Sequence, residues 1–105
     1  MDANKILDTL IKFRDDRDWT KFHTLKNLIC AFNVEAGEML EIVQWQSRPA
    51  LNDYDKMRFE IADCFIYLFN ICIYFGMNGK DIEQLIYRKI EMNAEKYPVG
   101  TEGEK

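Results

Sequence analysis

The sequence predicts an all-α domain of four helices arranged like a bundle, and three observations predict it. Apolar residues recur at three- and four-residue spacing through four separate stretches. No stretch of any length alternates as a strand does, and each helical stretch is bounded by residues that start or stop helices. The 105 residues suffice for one domain and leave no room for a second. That domain is expected over residues 1–98, with residues 99–105 forming a flexible polar tail.

The first helix is expected from about Asn4 to Phe13, because Ile6, Leu7, Leu10 and Ile11 fall on one helical face. The charged run Arg14-Asp15-Asp16-Arg17-Asp18 then ends it in solvent. A longer second helix begins near Thr24 and reaches about Gln46, with Leu25, Leu28, Ile29, Phe32, Ala36, Met39, Leu40 and Val43 as its apolar stripe. Ser47, Arg48 and Pro49 close it. The third helix follows Asn52-Asp53, either of which can cap its free amides, and runs to Phe75, where Gly76 supplies the stop. Its second half, Cys64 to Phe69, is apolar nearly all round, so it belongs at the centre of the bundle or against another subunit. The turn Met77-Asn78-Gly79 leads to a fourth helix from about Asp81 to Lys96, with Ile82, Leu85, Ile86 and Ile90 facing inward and Pro98 ending it.

Composition narrows the functions open to such a domain. Hydrophobic residues make up 48% and charged residues 30%, the balance of a folded soluble protein. A net charge of −4 argues against a broad grip on a nucleic acid polymer. A small anionic ligand is compatible with it only if something positive intervenes, and a divalent cation would do so. Cys30, Cys64 and Cys72 are odd in number, show no C-x-x-C spacing and lie within apolar helical patterns, so they are expected to be buried reduced thiols. No signal peptide is expected in Met1 to Leu10, and the richest apolar run, Cys64 to Phe75, falls short of the roughly 20 residues that span a bilayer. The expected setting is the cytoplasm, away from membranes.

Two helices carry acids where their inward faces should be apolar. Glu35 and Glu38 on the second helix, and Glu60 and Asp63 on the third, share one spacing. Residues three apart differ by about 60° around a helix axis, so each pair projects from one face. If the two helices pack antiparallel, four carboxylates converge. Such a group must take up protons or bind cations. Hard oxygen ligands without a His/Cys cluster favour magnesium, or manganese, over zinc. A solvated face balanced by lysines is the competing reading for any single Glu-x-x-Glu. Two pairs set among Ala36, Met39, Ile61, Ala62 and Phe65 favour the site.

The run Glu35-Ala-Gly-Glu38, then Glu60-Ile-Ala-Asp63 with Tyr67 four residues on, then Lys89, Asn93 and Lys96-Tyr97-Pro98, resembles the MazG-like, all-alpha nucleoside triphosphate pyrophosphohydrolases. It is similar above all to their compact dCTP pyrophosphatase branch. The likeness extends from Arg17-Asp18-Trp19 to Pro98, and the four motifs are specific in this order rather than singly. It implies an enzyme that converts a (deoxy)nucleoside triphosphate, dCTP or a related pyrimidine, to the monophosphate and pyrophosphate with Mg2+, Mn2+ being the alternative. It further implies that Glu35, Glu38, Glu60 and Asp63 hold the metal; on chemical grounds an acid that the metal does not saturate, Glu38 or Glu35, would orient the attacking water or accept its proton. Lys89 and Asn93 would contact the nucleotide, with Lys96 and Tyr97 in the same closing motif. Trp19, His23, Trp45 and Tyr67 would line or flank the nucleotide pocket. A homodimer or homotetramer with sites shared between chains is also implied. Two readings compete with the enzyme: a helical regulator that binds nucleotide or metal without turnover, and a purely structural protein that assembles through its third helix.

Overall fold

The computed structural model describes residues 1–100, and these form four α-helices with no strand among them. Residues 101–105, most of the expected tail, lie outside the described residues. Helix α1 spans Ala3–Asp16, and the Asp2 side chain caps it by accepting from the Lys5 amide at 3.0 Å. It outruns the expected end at Phe13 because charge alone does not stop a helix. Lys12 and Asp16 pair one turn apart at 2.8 Å, and the chain breaks away at Asp18, whose φ of 55° is left-handed.

Helix α2, Leu25–Val43, is capped by Thr24, whose hydroxyl accepts from the Asn27 amide. It ends three residues before the expected Gln46. A short 3-10 turn, Leu51–Asp53, then feeds α3, Tyr54–Tyr74. Asp53 occupies the cap position without a capping side-chain bond, because its backbone already continues the turn in a helical conformation. At the other end Gly76 takes φ 69°. The Met77 amide then bonds Cys72 O and the Gly76 amide bonds Ile73 O, the paired closure that a left-handed residue after a helix permits. Helix α4, Gly79–Lys96, starts two residues earlier than expected. Asn78 accepts from the Asp81 amide at 2.9 Å while the Asp81 carboxylate accepts from the Asn78 amide at 3.0 Å.

Helices α2 and α3 form the main packed pair, linked by residues 44–53, and α1 packs on α3. Leu7, Leu28, Cys64 and Phe69 are the buried apolar residues. Asn70 is buried beside them and spends its amide on Ile66 O at 3.0 Å. Ile29 and Leu40, expected in the α2 stripe, point outward instead, and Cys30 is an exposed thiol rather than a buried one.

The inward face expected for α4 is not covered by this chain. The break after α3 bends the path by 105°, and α4 packs mainly on α1 rather than on the α2–α3 pair. Leu85, Ile86 and Ile90 are therefore 58%, 53% and 55% exposed, and only Ile82 of that stripe is half-buried. The radius of gyration is 16.5 Å, against about 13 Å for a compact domain of this length. No single helix among the described residues is long and apolar enough to cross a membrane.

Candidate active site

Glu35 and Glu38 sit one turn apart on α2, and the packing of α3 on α2 brings Glu60 to them. Carboxylate oxygens of Glu35, Glu38 and Glu60 lie within 4.8 Å of one another. Asp63, one turn after Glu60, stands outside that tight triad, yet its charge reaches Glu35 and Glu60. One oxygen on each of Glu35 and Glu60 is buried without any hydrogen-bond donor. Buried carboxylate oxygens are normally satisfied, so these two call for a proton or a cation.

The electrostatics say the same. Burial first, then hydrogen bonding to Glu60 and Glu38 and repulsion from Glu38 and Asp63, push the Glu35 carboxyl up to about 7. For Glu60 the largest influence, a hydrogen bond from Glu35, lowers the pKa. Burial together with Glu38 and Asp63 outweighs it, and the carboxyl lies above its ordinary value. Burial, and then the charges of Glu35, Glu60 and Asp63, raise the Cys64 thiol, which stays protonated and offers no thiolate to a metal. The donor set is therefore carboxylate oxygen alone, which fits a hard cation.

A pH dependence follows. The unfolded chain ionises Glu35 near 4.5 while the folded, metal-free chain holds the proton to about 7. Folding thus binds a proton in that window, and stability contributed by protonated Glu35 is lost as pH rises through it. The metal-free melting temperature is expected to fall between about pH 5 and pH 8 relative to Glu35→Gln. Added Mg2+ should restore more of it the higher the pH, because ion and proton compete. His23 works in the opposite sense, since burial and then the nearby Arg14 charge lower its pKa, and the Glu35→Gln comparison removes its share. Parallel melting curves for the two proteins in chelator at both pH values would refute the proton-holding cluster.

The other expected site residues are spread over the turns, α3 and α4. Tyr67 is half-buried on α3, one turn beyond Asp63. Trp19 lies three residues past the end of α1, edge-on to Phe13 at 5.6 Å and 6.5 Å from His23. Trp45 stands 90% exposed in the turn after α2. Lys89, Asn93 and Lys96 are exposed on α4, and Lys89 makes no ion pair among the described residues. Tyr97 is half-buried, with its amide on Asn93 O at 2.7 Å and the Lys96 ammonium 5.4 Å from its ring. Within one chain the structure brings together the acids and leaves the α4 residues apart from them. Arg17 was not singled out from the sequence. Its guanidinium stacks 3.5 Å from the Phe13 ring and 5.9 Å from Trp19, and Phe13-x-x-x-Arg17 was the signal for it.

Residues 1–97 match the family described as dUTPase. The chain belongs to that family. It is part of the MazG-like all-alpha pyrophosphatase superfamily that the motifs resemble. A solved pyrophosphatase from Archaeoglobus fulgidus is similar to this member over 90% of both chains, with a TM-score of 0.74 and 38% identity. Mouse dCTP pyrophosphatase 1 is 31% identical over 84% of this chain, and the human protein of the same name is 28% identical over 83%. In each case the match takes in 54% of the relative, so the chain spans about half the length of the curated relatives it matches. Four helices without strands agree with the all-alpha pyrophosphatase fold.

Proposed function

We propose that this dUTPase-family chain is a magnesium-dependent pyrophosphohydrolase of a pyrimidine deoxynucleoside triphosphate, dCTP or a close relative of it. The observation that carries the reading is the triad of Glu35, Glu38 and Glu60 with its two donorless oxygens, an all-oxygen ligand set that suits a hard cation. The names of the relatives support the substrate class. They point to cytosine and the family's name to uracil, and a pyrimidine deoxynucleotide is common to both.

Glu35, Glu38 and Glu60 would hold magnesium, with Asp63 completing the anionic wall. When bound, the ion supplies neutralisation of phosphate charge and a more acidic water. The chain's own acids then manage the proton. As the oxygen of water bonds to the α-phosphorus, the bond from that phosphorus to the α–β bridging oxygen breaks, and pyrophosphate leaves with the electron pair. The water's proton passes to whichever carboxylate oxygen of Glu38 or Glu35 the ion leaves free. Trp19, Trp45 and Tyr67 offer aromatic faces for the base, with His23, neutral through its lowered pKa, as a polar partner. Lys89, with Lys96, would meet phosphate, Asn93 the sugar or base, and Tyr97 would close the motif.

The assembled form is a homodimer or homotetramer. The chain exposes 8562 Å², where a compact monomer of its mass shows about 6,200 Å². That excess exceeds the roughly 800 Å² per partner of a standard interface. Its apolar part includes Leu85, Ile86 and Ile90, and Lys89 and Asn93 continue the same side of α4. Covering that side with a second copy would deliver both polar residues to an interface beside a neighbour's acids. The free cysteines suit the reducing cytoplasm, where we place the protein.

The test is incubation with a panel of triphosphates and Mg2+, with products identified by mass. A pyrimidine deoxynucleoside triphosphate should give monophosphate and pyrophosphate with the highest kcat/KM, and chelator should stop the reaction. Nucleotide binding without any pyrophosphate release would favour the non-catalytic regulator.

A further inference from the structure

Helix α4 carries the residues assigned to substrate, but little of this chain holds it in place. Among the described residues, the hydrogen bond that ties it to another helix runs across 75 positions of sequence, from the Gly79 amide to the Asn4 side-chain oxygen on α1, at 2.7 Å. The Gly79 amide is one of those left without a partner at the start of a helix. Asn78 satisfies the Asp81 amide, so the Gly79 amide is served from another helix altogether.

The glycine itself points to the same contact. Gly79 is not among the glycines with positive φ, so backbone conformation does not explain a poor helix former at the first position of α4. Close approach does. A Cβ at Gly79 would sit 3.0 Å from the Asn4 oxygen and 3.2 Å from the Ala3 Cβ, tighter than nearly all real Cβ contacts, so Asn4 or Ala3 would have to give way by a few tenths of an ångström. The hinge beside it, Phe75 to Asn78, turns through the left-handed Gly76, so α4 is a rod joined at a corner and pinned at its base.

We propose that Asn4 and Gly79 are positioning residues that set the direction of α4 and so place Lys89 and Asn93 against substrate. The inference rests on the proposed substrate contacts of α4. Leverage makes the pin consequential. At 1.5 Å per residue, Lys89 and Asn93 lie about 15 Å and about 21 Å along the helix from Gly79. A tilt of roughly 10° at the base displaces them by about 2.6 Å and about 3.7 Å, enough to lose a phosphate or sugar contact. The acids on α2 and α3 do not move with the rod. Disturbing the pin therefore weakens nucleotide binding while leaving the chemical step.

The experiment compares Asn4→Leu, Gly79→Ala, Asn4→Asp and Lys89→Ala, and Asn4→Leu combined with Lys89→Ala, in the full-length assembled protein. KM for the best triphosphate of the panel should rise about five-fold or more in Asn4→Leu and in Gly79→Ala, with kcat within about two-fold, the pattern of lost uniform binding. Asn4→Asp restores an acceptor for the Gly79 amide at a helix N-terminus that favours negative charge, and should return KM toward the parent value. Hydrogen exchange at the first amides of α4 should quicken in Asn4→Leu and recover in Asn4→Asp. On the Lys89→Ala background, Asn4→Leu should raise KM by a smaller factor than it does alone, because part of its effect runs through Lys89 and only the Asn93 contact is left to lose. Unchanged KM in both pin variants, with Lys89→Ala still raising it, overturns the pin and leaves the substrate reading standing. Unchanged KM in Lys89→Ala overturns the substrate role of α4 and the inference with it. Equal losses of kcat in the pin variants and Asn4→Asp, without a KM change, would mark Asn4 as merely structural.

Discussion

Glu38→Ala and Asp63→Ala should each cut pyrophosphate release by at least about a hundred-fold while leaving the helical circular dichroism intact. Removing a partner that only supports a metal ligand already costs roughly ten- to a hundred-fold, and in the proposed site these acids are ligands or the wall around them. The fold should survive because neither residue belongs to the buried apolar set of Leu7, Leu28, Cys64 and Phe69. Taking a negative charge from the cluster also relieves repulsion that raises Glu35 and Glu60. The metal-free variants should therefore melt no lower than the parent at pH 8, a trade of stability for function common at active sites. Loss of helicity in both variants would show that the acids serve the fold instead.

The second large effect is expected on the open face of α4. Leu85→Asp combined with Ile86→Asp should convert the assembled protein to monomers in sedimentation velocity and abolish turnover. Burying a leucine or isoleucine contributes about 1.5–3 kcal/mol, and a carboxylate in its place must be desolvated without a partner. The dissociation constant should rise by at least about a thousand-fold, since every 1.4 kcal/mol is a factor of ten. Activity should go with it, because Lys89 and Asn93 share that side of the helix and, in the proposed assembly, meet a neighbour's acids there. Both side chains are more than half exposed in the single chain, so the substitutions cost the isolated fold little. A variant that stayed assembled and active would show that this face is not the one that meets another copy.

Helix existence was legible because apolar spacing, caps and stops are local features. Thr24 and Gly76 act where the residues themselves said they would. The errors fell where polarity was read as a stop signal, as at Arg14 to Asp16, and where a helix face was assigned to a core that the chain does not build, as for Leu85, Ile86 and Ile90. Periodicity reports that a face must be covered, and it is silent on whether the cover comes from the same chain. The contact between Asn4 and Gly79 had no signature at all, since it joins residues 75 positions apart by a single polar bond.

Taken alone, the residues determined an all-helical chain with two equally spaced acidic pairs on consecutive helices, because spacing of three and four residues maps directly onto one side of a helix. Only the tertiary structure decided that Glu35, Glu38 and Glu60 close to within 4.8 Å while Asp63 stays just outside, and that α4 swings away with its apolar side bare. Both depend on the register between packed helices and on the angle at one glycine turn. Such quantities arise from contacts between distant residues, and local pattern does not encode them.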